Sequence, residues 1–237
     1  MKKKAIIIII AIVLIVGIVL AIVLTRNSNN STKSNDASSN DTVSTSWGPQ
    51  DRKTYDWNTR SDTVSFNSIT NNPSLGDERN FVRIRKVGGT ESDEVALEPN
   101  AEYEVSIYYH NDAKESLNND GSGISRDTSI RVKLPSNLNS GEVGSLVGYL
   151  NASNATPNEI WDSCYLKANS NIYISFVPNS AQIYNNGTAN GTTLNDEKLL
   201  SSGVPISYYD NMQGMIPAGV NYGGYVSFKI KTSPNKP

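Results

Sequence analysis

The chain has 237 residues, among them 21 basic and 23 acidic groups, one His and one Cys. A single Cys excludes an intrachain disulfide and a multi-cysteine metal site. Lys2, Lys3, Lys4 and Arg26 are the only charges in the first 26 residues, so the rest carries 17 basic and 23 acidic groups, a net −6, which argues against the phosphate contacts of a nucleic-acid binder.

Residues 1–4 read as a short basic tail. Ala5 to Leu24 is an uninterrupted run of Ala, Ile, Val, Leu and one Gly, and twenty residues of helix span roughly 30 Å, the thickness of a bilayer core. The lysines before the run predict a cytoplasmic N-terminus and an exported remainder. The run is longer than a signal-peptide core, no Ala-x-Ala cleavage pattern follows it and no Cys lies near its end, so an uncleaved, single-pass anchor in the cell membrane is expected, with the lipid bilayer as its partner. Residues 25–46 are almost devoid of apolar groups and predict a disordered polar linker with a reach of roughly 25 Å.

From Trp47 onward, short alternating segments separated by Gly, Pro, Asn and Asp predict one extracytoplasmic domain, residues 47–237, of about eight to ten strands in an all-β sandwich. Four strands are clear. In Glu102–His110 the side chains of Tyr103, Val105, Ile107 and Tyr109 share a face. In Thr128–Leu134, Ile130, Val132 and Leu134 do the same. Val226, Phe228 and Ile230 repeat the pattern in Gly224–Lys231, as do Val82 and Ile84 in Phe81–Lys86. Weaker strands are expected at Thr63–Ile69, Gly144–Leu150, Ile160–Leu166, Ile172–Val177 and Ala181–Tyr184, and a helical turn at Asn195–Ser201. Prolines fall at segment ends, where a missing backbone donor does least harm.

Candidate chemistry is sparse. A nucleophile–base pair would have to use His110, which ends a strand beside Asn111-Asp112 and reads as a polar strand-end residue. Cys164 reads as a small buried hydrophobe. Gly-x-Ser-x-Gly, His-Glu-x-x-His and phosphate-cradling loops are absent from the sequence. With one His and one Cys, a zinc site of ordinary ligands is not expected. No cofactor and no enzymatic activity are expected. Ser116, Asn118, Asp120 and Asp127 place oxygens around Gly121 in partial imitation of a calcium loop, but Ser leads it, Asp closes it and its flanks read as strands, so a polar hairpin loop is expected. An isopeptide crosslink would need a buried Lys, whereas Lys133, Lys229 and Lys231 read as outward and Lys86 sits at a strand end. Three Trp and twelve Tyr leave an envelope glycan as an alternative partner, through ring stacking by Trp57, Trp161, Tyr108, Tyr109, Tyr208 or Tyr209.

The segment Tyr103 to Asn111, a Gly-containing loop at Asn119–Gly123, and Asp127-Thr-x-Ile-x-Val-x-Leu-Pro135 resemble the conserved repeat domain of bacterial surface proteins known as domain of unknown function eleven. Pro217-Ala218-Gly219 before Gly224–Lys231 is similar to that family's closing element, so the match covers residues 100–135 and 215–232. The chain departs from it by a long insertion, Ser136 to Gly214, and by its single copy. The resemblance implies an immunoglobulin-like β-sandwich of cell-wall or envelope proteins, usually without enzymatic activity. It carries over no binding residue. The exported β pattern and the absence of a catalytic set lead to the expectation of a module for envelope structure or contact with other cells, with a surface protein as a further partner.

Overall fold

The computed structural model describes residues 47–236. The expected tail 1–4 with Lys2, Lys3 and Lys4, the span 5–24 and the linker 25–46 lie outside the described residues. Among the described residues no helix is long and apolar enough to cross a membrane.

Two packed sheets form the core. One contains β1 (Trp47–Gly48), β3 (Glu94–Leu97), β5 (Ser129–Lys133), β7 (Val143–Asn151), β8 (Glu159–Ala168) and β11 (Val204–Pro205). Its order is β1-β8-β7-β5-β11, with β3 also on β8. The other contains β2 (Val82–Lys86), β4 (Glu102–Tyr109), β6 (Asn137–Leu138), β9 (Ile172–Phe176), β10 (Gln182–Asn185) and β12 (Gly224–Ser233). Its order is β2-β4-β12-β9-β6, with β10 also on β12. All pairings are antiparallel except β3 with β8. The all-β sandwich is therefore as expected, with twelve strands among the described residues instead of about eight to ten.

Period-two patterning accounts for the central strands. Tyr103, Val105, Ile107 and Tyr109 of β4 and Val226, Phe228 and Ile230 of β12 are each 0% exposed. They face Ile130 and Val132 of β5, Leu146 and Leu150 of β7, and Ile160, Cys164 and Leu166 of β8, all in the same apolar cluster. Each such large side chain contributes about 1.5–3 kcal/mol by leaving water. On the outer face Arg85 of β2 stands directly opposite Glu104 of β4, and their side chains pair at 2.5 Å. Lys86 reaches solvent as read from its strand-end position and pairs with Glu98.

Asp162 ties the two sheets together. It alternates into the interior from β8, and one carboxylate oxygen accepts the Val82 amide at the start of β2 at 2.7 Å. Its neighbour across β7 is Gly148, where an added Cβ would stand 2.8 Å from Val82 Cγ2 and 3.0 Å from the Ile107 Cδ1. The sheets approach closely here because that position has no side chain.

The expected helical turn is α1 (Asp196–Leu199), started by the Asn195 side chain accepting from the Lys198 amide at 2.8 Å. The expected strand at Thr63–Ile69 does not form. Val64 through Ile69 are buried without alternation, and Asn67 takes a positive φ of 44°, which no strand accommodates. The segment makes only isolated bridges, Phe66 with Asn111 and, from Ile69, with Tyr55.

Candidate functional site

β4 ends at Tyr109, and its continuation His110-Asn111-Asp112 runs against the irregular segment 52–80. Asn67 replaces a ladder partner there. Its Oδ1 accepts from the His110 amide at 2.7 Å, its Nδ2 donates to the Tyr108 carbonyl at 2.9 Å, and its own amide donates to the His110 carbonyl at 3.1 Å. The Asp112 amide donates to the Ser65 carbonyl at 2.8 Å, and the Asp112 carbonyl accepts from Ser61 at 3.0 Å. Residues two apart on an extended chain share a side. His110 and Asp112 therefore point together toward Glu78, whose amide donates to the Ile69 carbonyl at 2.9 Å.

The three side chains converge. His110 Nδ1 lies 3.1 Å from each Glu78 carboxylate oxygen and 3.1 Å from Asp112 Oδ1. Glu78 is 1% exposed and the other two are 0% exposed. Asp112 Oδ2 accepts the Ser68 amide at 2.6 Å. Asp112 Oδ1 and His110 Nε2 have no hydrogen-bond partner. Glu78 Oε1 accepts from the Asn72 amide group. Burial, and then the neighbouring Glu78 carboxylate, push the Asp112 carboxyl well above its usual range, against the opposing pull of the Ser68 amide and Arg60.

Arg52 is buried nearby, with none of its guanidinium nitrogens hydrogen-bonded. Burial, followed by repulsion from Arg79, lowers its pKa to about 10 although Asp112 attracts it. Its guanidinium lies 5.5 Å from the Trp47 ring centroid, and Arg79 lies 4.0 Å from the same ring.

His110 follows directly on the end of β4, as its sequence neighbourhood suggested, and segment 52–80 buries it. The spacing His110-x-Asp112 was the available signal; Glu78 and Asn67 come from remote, irregular chain. Of the calcium candidates, Ser116 is exposed on a 3-10 turn, Glu115–Asn118. Asn118 exchanges two hydrogen bonds with the Ala218 backbone. Asp120 accepts from Ser122, and Asp127 accepts from Ser153. Each of these last three is occupied by a different partner. Cys164 is wholly buried, and burial pushes its thiol pKa far up.

Of the aromatic candidates, Tyr208 and Tyr209 meet edge to face with ring centroids 5.4 Å apart. Trp57 is half-buried and stacks with Arg60, 4.4 Å from the ring centroid. Half-buried Trp161 covers Gly48 so closely that a Cβ there would meet the indole at 2.5 Å. Tyr109 is buried and Tyr209 exposed. Comparison with known proteins finds no relative: no family model matches the chain, and neither a curated protein nor a solved structure does.

Proposed function

We propose that this chain is a membrane-anchored, surface-exposed β-sandwich module without enzymatic activity, serving envelope structure or cell contact. Residues 5–24 hold it in the bilayer, residues 25–46 lift it off the lipid, and the sandwich faces outward. The observation that carries this reading is that the only imidazole and the only thiol are both 0% exposed. Neither can serve a hydrolytic pair that meets substrate from solution. The partial likeness at Tyr103–Pro135 and Pro217–Lys231 supports an immunoglobulin-like sandwich of the surface-protein repeat kind. Cell fractionation tests the anchor. The full chain should sediment with membranes and withstand alkaline carbonate, and deletion of residues 5–24 should release it; a carbonate-soluble full chain contradicts the reading.

A second reading, a carbohydrate-binding module, is favoured by one observation. Tyr225 is 43% exposed and stacks on Tyr184 with ring centroids 5.0 Å apart and planes 18° apart, presenting an aromatic surface to solvent. A glycan array on the full chain and on Tyr225→Ala separates the readings. Loss of a glycan signal in the variant supports sugar binding, whereas no signal from either chain leaves the pair a packing feature.

A further inference from the structure

We infer that Glu78, His110 and Asp112 form a buried site for one divalent cation of the zinc class, filled as segment 52–80 closes over the end of β4. Three observations converge on it.

The first is spacing. The imidazole nitrogen is 3.1 Å from three carboxylate oxygens, two on Glu78 and one on Asp112. Nδ1 carries at most one proton, so donation from the imidazole accounts for one such contact, or for two shared weakly, but not for three. Ligand atoms bound to a common cation at about 2.0–2.2 Å stand roughly 2.9–3.5 Å apart for angles between square and tetrahedral. One donor atom from each of the three residues falls within 4.8 Å of the others.

The second is how the surroundings divide the oxygens. The Ser68 amide occupies Asp112 Oδ2 and leaves Oδ1, the atom facing His110, without a hydrogen bond. Asn72 donates to Glu78 Oε1, and Asn67 fixes the His110 backbone from both sides. Ligating carboxylates are commonly held in this manner by outer partners that aim the remaining lone pair inward.

The third is burial. Two carboxylates so close together in an interior that excludes water repel each other. Arg52 adds positive charge nearby but donates no hydrogen bond to them. A dication between them neutralises both. An imidazole with carboxylates selects zinc-class ions over calcium, which takes oxygen donors. Because the ligands are 0–1% exposed, the cation enters during folding and acts as a structural clamp between segment 52–80 and β4.

His110 is the only histidine in the chain, so one labelled imidazole reports the site. The full chain, labelled with nitrogen-15 histidine, is refolded once with chelator and once with one equivalent of zinc, and its imidazole resonances and zinc content are recorded. Zinc should remain at one per chain through dialysis, shift the Nδ1 resonance, hold the proton on Nε2 and raise Tm. Glu78→Gln should lose the bound zinc, and Asn72→Ala should weaken it by about 10–100-fold. Should either variant fail to fold, the wild-type spectrum decides alone. Identical imidazole spectra and Tm with zinc and with chelator would overturn the site and leave a cluster held by shared protons.

Discussion

Asn67 takes a left-handed backbone conformation, φ 44°, and from it satisfies the His110 amide and the Tyr108 carbonyl at once. Asn67→Ala loses both bonds in a buried setting and places a Cβ residue without a local hydrogen bond in that conformation. It should cost about 2–4 kcal/mol, seen as a fall in the urea midpoint; an unchanged midpoint would mean that solvent replaces Asn67. Asp162 gives a pH-dependent counterpart. Burial, against the opposing backbone amides of Val82, Ser163 and Phe81, raises its carboxyl from 3.8 to about 7. Between those values the folded protein keeps a proton that the unfolded chain releases. Its contribution is thus most favourable below about pH 4, declines as pH rises to about 7, and is level beyond. The span is on the order of 4 kcal/mol. Asp162→Asn should remove this decline, which urea melts of both chains across the window will measure. A decline as steep in the variant as in the parent assigns it to other groups. At this scale the sequence placed His110 at a strand end beside Asn111-Asp112, without showing that its side chain faces that of Asp112. It could not reveal Glu78, because the irregular chain leading to it has no periodicity to place it.

Elements with one face in the core were legible, since Tyr103, Val105, Ile107 and Tyr109 keep strict alternation and β12 does the same. β3 was not legible. Its Glu-Val-Ala-Leu buries only Leu97, and what makes it a strand is a parallel pairing with the distant β8. Thr63–Ile69 misled for the opposite reason. Its apolar residues suit a strand, but the Ser65 carbonyl, the Asn67 side chain and the Ser68 amide bond the end of β4 and its continuation, and the segment wraps over it instead. Packing between elements makes its own prediction at Gly148. The methyl of Gly148→Ala would crowd Val82 and Ile107 of the facing sheet. Overpacking of this kind costs about 1–3 kcal/mol, so Tm should drop by several degrees; no change would show that the sheets can separate slightly at β7.

The molecule as a whole relies on its core, with no intrachain disulfide possible from one Cys. Cys164 lies inside that core at 0% exposure, so a thiol reagent should leave the native protein unlabelled and modify it fully in guanidinium. Labelling of the native chain at the unfolded rate would show the sandwich opening there. The proposed presentation outside a membrane rests on Lys2 to Lys4, the apolar run and the polar linker of the sequence. Protease treatment of intact cells expressing the full chain with a C-terminal tag tests this most directly. The account predicts loss of the tag signal before the cells are broken, while a cytosolic marker stays whole. A tag protected until lysis would contradict it.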